Sequence, residues 1–254
     1  LPTSPIRKLS KYATDAKAKG IDVIHLNIGQ PDIDTPAKAL QAIQSFDKNV
    51  LAYGPSEGSL AYRQKMCSYF AKHNIEVQPD DILVTTGASE AIIMTLDCIT
   101  NEGDELIIPE PFYANYDTFA AACGVKVVPV SSTIDSNFSL PPIDVIEGKI
   151  NAKTRAIFIC NPNNPTGYVY SKKELNDLAT LVKKHDLFLI FDEVYREFIY
   201  DGAVHHSVLT ISGLEEHAIL VDSMSKRYSM CGARIGCLVS KNKEVMDAAL
   251  KFAQ

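Results

Sequence analysis

Short apolar runs recur along the chain, each ending in a polar or Gly/Pro break: residues 82–84, 106–108, 125–130, 156–160, 187–191 and 219–221. Runs of this length bounded by turn formers predict buried strands. Between several of them the spacing turns helical, over residues 89–99, 113–122 and 171–185. The last opens on Ser171-Lys172-Lys173-Glu174, a capping-box pattern. Strand and helix in alternation predict an α/β fold with a mostly parallel sheet covered on both faces. The first 50 residues lack that alternation, and the turn formers of Gly29-Gln30-Pro31-Asp32 and Thr35-Pro36 mark them as an arm or part of another domain.

The chain has 254 residues, of which 46% are hydrophobic and 22% charged, with a formal charge of −6. Such a chain buries roughly 70–75% of its unfolded surface without a disulfide or metal staple. The acidic balance and the lack of a long basic run argue against nucleic acid or an anionic membrane as partner. No apolar run approaches the ~20 residues that span a bilayer. The six cysteines are scattered, with no Cys-x-x-Cys pair, a distribution that suits reduced thiols in a cytoplasmic protein better than a disulfide framework or a metal site.

In open parallel sheets, ligands gather beyond the carboxyl ends of the strands. Five loops qualify, beginning at Thr85, Pro109, Asn161, Asp192 and Asp222, and all five are expected to line one rim. Gly87-Ala88-Ser89, between a strand and a helix, suits a phosphate or is a plain turn. Asp192 leaves a very apolar strand, so its carboxylate needs a cation or N–H partner, as a functional acid, a helix cap or half of a structural ion pair. Lys226, among small residues and hydroxyls after a buried strand, is either a surface charge or a desolvated amine suited to Schiff-base chemistry. Residues 161–167 read as a loop with Asx-turns and a cis proline. His205-His206 lacks metal-ligand spacing and reads as loop.

Together these residues resemble the fold-type I pyridoxal 5′-phosphate (PLP) enzymes, specifically the class I/II aminotransferases of the aspartate aminotransferase superfamily. Seven motifs in family order carry the resemblance over nearly the whole chain. They are Asn27-Ile28-Gly29-Gln30-Pro31-Asp32, residues 53–58, the Gly87 turn, Pro111-Phe112-Tyr113, Asn164-Pro165-Thr166-Gly167, Asp192-Glu193-Val194-Tyr195, and Ser223-x-Ser225-Lys226 with Arg234 eight residues later.

The resemblance implies a three-layer αβα large domain over residues 46–254 and an arm over 1–45 belonging to a small domain. It implies a PLP-dependent transaminase moving an amino group from an L-amino acid, with aspartate one candidate, to a 2-oxo acid. Lys226 would form the Schiff base and shuttle the proton, and Asp192 would pair with the pyridine nitrogen. Asn164 and Tyr195 would bond the ring's 3′-oxygen, and Tyr113 would stack on its face. Gly87, Ala88, Ser89, Ser223, Ser225 and Arg234 would hold the phosphate, while Gly29 and Asn164 would touch substrate. Tyr53 would reach the phosphate of a neighbouring subunit, which implies a homodimer. In this family an arginine of a C-terminal small domain clamps the substrate carboxylate. No residue here takes that role, so the chain is expected to stop before that domain. A C–S β-lyase on the same scaffold and a catalytically idle PLP-binding regulatory domain are the rival readings.

Overall fold

The computed structural model describes residues 7–47 and 49–254; the first six residues of the expected arm lie outside them. All six apolar runs form strands: β1 (Ile82–Thr85), β2 (Glu105–Glu110), β3 (Lys126–Ser131), β4 (Thr154–Cys160), β5 (Phe188–Asp192) and β6 (Ala218–Ser223). A seventh strand, β7 (Gly236–Ser240), joins them in one sheet of order β1-β7-β6-β5-β4-β2-β3. Strands β3, β2, β4, β5 and β6 pair in parallel, whereas β7 runs antiparallel to both β1 and β6. The sequence reading missed β7. Its apolar stretch is short and follows a turn-rich segment, and being antiparallel it needs no crossover helix to announce it.

Eight α-helices accompany the described strands: α1 (Ser10–Ala18), α2 (Ala37–Gln44), α3 (Leu60–Ala71), α4 (Ala88–Ile99), α5 (Asn115–Ala122), α6 (Ile143–Glu147), α7 (Lys172–His185) and α8 (Lys243–Ala253). The capping box predicted for α7 is present: Ser171 Oγ accepts from the Glu174 N–H, and the Glu174 carboxylate accepts from the Ser171 N–H. Helix α5 starts two residues later than the pattern suggested, because 111–114 form the turn leaving β2.

Strand periodicity sorts the core into two layers. Ile157, Ile159, Leu189, Phe191, Ala218 and Leu220 pack with α3, α6 and α7. Ala156, Phe158, Ile190, Ile219 and Val221 pack with α4, α5 and α8 on the other face. By the same alternation Asp192 belongs to the α4/α5 side and Asp222, one residue out of step with it, to the α3 side. Helices α1 and α2 bury no residue, and Ile24, Leu26, Ile33, Ile43 and Phe46 around them are exposed.

Candidate active site

The five loops converge as expected. A cavity of about 340 Å³ at the carboxyl edge of the sheet is lined by Ala88 and Ser89, Tyr113, Asn164, Asp192 and Tyr195, and Ser223, Ser225 and Lys226, together with Arg234 and the arm's Asn27 and Gly29. Its size falls within the range of small-molecule sites. Tyr53 is not among these residues. Its segment is tied to the edge of β1 by a Val84 N–H donated to the Glu57 carbonyl, which leaves the Tyr53 side chain fully exposed.

One end of the cavity is built for an anion. Gly87 caps α4 with φ +83°, and a Cβ there would lie 2.3 Å from the Arg234 guanidinium. Gly236 is needed for the same approach, since a Cβ on it would meet the Gly87 carbonyl carbon at 2.5 Å. Arg234 donates from Nη1 to the Cys231 carbonyl at 3.1 Å and lies 3.5 Å from Ser225 Oγ. The Ser223 and Ser225 hydroxyls are 2.8 Å apart. A guanidinium, two hydroxyls and the N-terminal turn of α4 thus gather at one point, a donor set that suits phosphate.

At the far end lies Asp192, 7% exposed. Its Oδ1 accepts from the Val194 N–H at 3.1 Å and its Oδ2 from the Tyr116 hydroxyl at 2.8 Å. Among the described residues no cation pairs with it. Burial therefore pushes its carboxyl up to about 6, against the opposing pull of those two hydrogen bonds and with a further push from Asp222 and Glu193. The helix-cap and ion-pair readings of this residue do not hold; it is a buried acid open to the cavity.

Between the two ends stand Lys226, Tyr195 and Asn164. Lys226 is half-buried, and its Nζ donates to the Gly29 carbonyl and lies 5.9 Å from the Tyr195 ring centroid. Burial raises the Tyr195 phenol to about 12, so it remains a neutral donor across the working pH range. Asn164 is presented by the 161–167 loop, where Asn161-Pro162 and Asn164-Pro165 are both cis. The Asx contacts expected there are present, with Asn163 Oδ1 accepting from the Thr166 N–H at 3.1 Å and from its hydroxyl at 3.0 Å. The arm lines the site through Asn27, Ile28 and Gly29 and is bonded beyond them to the segment after Lys226. The Ser229 hydroxyl donates to the Ile33 carbonyl and the Thr35 hydroxyl to the Ser229 carbonyl, both at 2.6 Å.

Two features had no signal in the sequence. Tyr116, on α5, reaches Asp192 from 76 positions away. Behind the Lys226 turn a buried ion cluster forms: Asp222 takes Arg227 Nη1 at 2.7 Å and Arg196 Nη1 at 3.2 Å, while Glu193 takes Arg196 Nε at 3.0 Å. The Arg227 guanidinium also lies over the Tyr69 ring, 4.3 Å from its centroid. Asp222 Oδ1 accepts from the Ser223 N–H as well, so its carboxylate fastens residues 223 and 227 at either side of Lys226. His205 lies in a loop, as its sequence suggested, and its Nε2 stands 3.6 Å from Glu193 at the edge of this cluster.

Comparison with known proteins agrees with this geometry. Residues 21–254 match the family model for aminotransferase class I and II. The aromatic-amino-acid aminotransferase 2 of Thermococcus litoralis is 36% identical over 253 residues, covering 98% of this chain and 63% of its own length. An aspartate aminotransferase of a Bacillus species is 34% identical over 256 residues, covering 100% of this chain and 65% of its own. The chain thus spans somewhat less than two thirds of these relatives. The crystal structure of an aspartate aminotransferase from Thermotoga maritima superposes with a TM-score of 0.93 at 31% identity, over 99% of this chain and 67% of that one. From the five-loop rim to the match over nearly the whole length, the findings agree: the chain belongs to the class I and II aminotransferases, a family dependent on pyridoxal phosphate.

Proposed function

We propose that the protein carrying this chain is a PLP-dependent aminotransferase that moves an amino group from an L-amino acid to a 2-oxo acid. The observation that carries the reading is the convergence of Lys226, Asp192, Asn164, Tyr195, Tyr113 and Arg234 on one cavity. The cofactor fits two independent features of that cavity. The anion end gathers the Arg234 guanidinium, the Ser223 and Ser225 hydroxyls and the first turn of α4, which close approaches at Gly87 and Gly236 bring together, and the other end holds a buried carboxyl without a cation among the described residues, which a protonated ring nitrogen would supply.

When bound, PLP supplies an aldehyde for a lysine amine and a ring that withdraws electron density from the substrate Cα. Lys226 Nζ would supply the amine that holds the cofactor and the base that moves a proton from and to the substrate Cα. Asp192 would hold the ring nitrogen, Tyr195 and Asn164 would bond the ring's 3′-oxygen, and Tyr113 would cover a face. The Gly87-Ala88-Ser89 turn, Ser223, Ser225 and Arg234 hold the phosphate. Gly29 and Asn164 contact the substrate.

In this reading residues 46–254 are the large cofactor-binding domain and 1–45 an arm of a small domain. The exposed apolar side chains of the arm and the exposed Tyr53 support a homodimer in which Tyr53 enters the partner's site. Six unpaired cysteines support residence in the cytoplasm. Aspartate is the first donor to test, since several relatives are named aspartate aminotransferases.

The experiment is the visible spectrum of the full-length protein with PLP, then addition of an amino-acid panel. The parent is expected to show a lysine-bound cofactor band that converts to the pyridoxamine form with a donor. Lys226→Ala is expected to lose the band and, from its proton-transfer role alone, roughly 10²–10⁴-fold in kcat. A band that survives unchanged in the variant refutes the role of Lys226, and release of pyruvate and ammonia from a cysteine-type substrate would make the protein a lyase.

A further inference from the structure

The Tyr116 side chain sits where a phenylalanine would satisfy the packing. It is 1% exposed, 4.4 Å from the Phe158 ring centroid and edge-on to Tyr113 at 5.4 Å. Burying a hydroxyl there is unfavourable unless it finds a partner, and the partner it finds is Asp192 Oδ2 at 2.8 Å. That carboxylate has no cation among the described residues, so its two neutral donors, the Tyr116 hydroxyl and the Val194 N–H, are what hold it. They take one lone pair on each oxygen and fix the plane of the group. Tyr116 also braces Tyr113, so a single side chain touches both the acid at the ring nitrogen's place and the aromatic at the ring face.

We propose that Tyr116 is a positioning residue: its buried hydroxyl orients Asp192 toward the pyridine nitrogen and favours the ionised carboxylate, and its ring sets the tilt of Tyr113. The proposal rests on the PLP reading of this cavity. The other groups that bear on Asp192 are few. Cys160 is its register partner on β4, its thiol pushed up by burial. Glu193 follows it in the chain, and Asp222 stands on β6. Both carboxylates oppose its ionisation, and Tyr195 is a neutral phenol, so the Tyr116 hydroxyl and the Val194 N–H favour the anion against the rest.

The test is Tyr116→Phe in the full-length protein, with Tyr168→Phe as the control for loss of a bonded tyrosine hydroxyl away from the site. In the ligand-free protein, isotope-edited infrared titration of the Asp192 carboxyl, identified by its absence in Asp192→Asn, is expected to move up from about 6 by about 0.5–1 pH unit in Tyr116→Phe and not at all in Tyr168→Phe. Affinity for PLP is expected to fall roughly 3–10-fold, while affinity for the 1-deaza analogue, which has no ring nitrogen, stays the same. In an Asp192→Asn background Tyr116→Phe is expected to have no further effect on PLP affinity.

An unchanged Asp192 titration, or equal losses for PLP and its deaza analogue, overturns the proposal and leaves Tyr116 a core residue. Failure of the PLP reading looks different: the parent then binds neither compound, while the titration still reports on Tyr116 and Asp192. Should Tyr116→Phe not fold, 3-fluorotyrosine at position 116, a stronger donor of nearly the same shape, is expected to move the Asp192 titration downward; no movement overturns the proposal equally.

Discussion

Asp192 and Asp222 stand at the carboxyl ends of neighbouring parallel strands, both buried, yet the protein treats them in opposite ways. Asp222, on the α3 side of the sheet, meets Arg196 and Arg227 and a backbone N–H. Burial works to raise its carboxyl, but the two guanidinium groups outweigh it and hold the carboxyl below the ordinary range. Among the described residues Asp192, on the α4/α5 side, meets only neutral donors, and it rises to about 6. One carboxylate is neutralised inside the fold and braces the Lys226 turn; the other keeps an unmet demand for positive charge, and it faces the cavity. A buried charge that a fold satisfies is architecture, and one left unsatisfied toward an opening is an invitation to a cationic ligand.

The contrast can be broken first at Asp222. Among the described residues Asp222→Asn leaves the buried Arg227 guanidinium without a carboxylate and Arg196 with Glu193 alone, and is expected to cost roughly 3–5 kcal/mol, read from urea unfolding. Because the folded value is depressed, this stability is fully present above the ordinary carboxylate range and is lost as pH falls through the folded value. A variant as stable as the parent at pH 7 would show that the cluster is no brace.

Asp192→Asn is expected to act in the other direction on the ligand-free protein. A carboxyl raised from 3.8 to about 6 binds its proton more tightly when folded, so it costs nothing at low pH. The cost grows from about pH 4 to pH 6 and then stays constant, at about 2–3 kcal/mol. Relative to the variant, the parent should therefore lose stability across that window, and a constant difference between pH 3 and pH 8 would contradict the assignment. The same substitution is expected to weaken PLP binding, a trade of stability against function.

The smallest effect sharpens the pair itself. Asp222 opposes the ionisation of Asp192, so Asp222→Asn is expected to lower the Asp192 midpoint, with a coupling on the order of 0.5–1 kcal/mol in the double-substitution cycle. A midpoint that stays in place would mean that the two carboxylates are electrically independent.

The six apolar runs, the α7 cap and the five rim loops were all legible from period and turn chemistry, because those signals are local. Strand β7 was not, since Gly236-Cys237-Leu238-Val239-Ser240 carries a short apolar run and an antiparallel neighbour leaves no helix in the chain to mark it. Asp192 could be singled out by the apolar strand before it, but what it bonds could not: the donor comes from Tyr116, on another helix, through a packing arrangement that no spacing encodes. The family motifs named most of the cavity residues, including Arg234 and Lys226, yet passed over Arg196 and Arg227, whose pairing with Glu193 and Asp222 in one buried cluster no motif marks. Tyr53 carried a motif and stands outside this chain's cavity.

By itself the sequence determined the parallel α/β framework, the family and the residue types that gather at the carboxyl edge, because hydrophobic period, turn formers and motif order are properties of the chain. Only the tertiary structure decided which buried carboxylate is neutralised and which is left waiting. That outcome follows from a one-residue difference in strand phase, which turns Asp222 toward two guanidinium groups and Asp192 toward a phenol and a cavity.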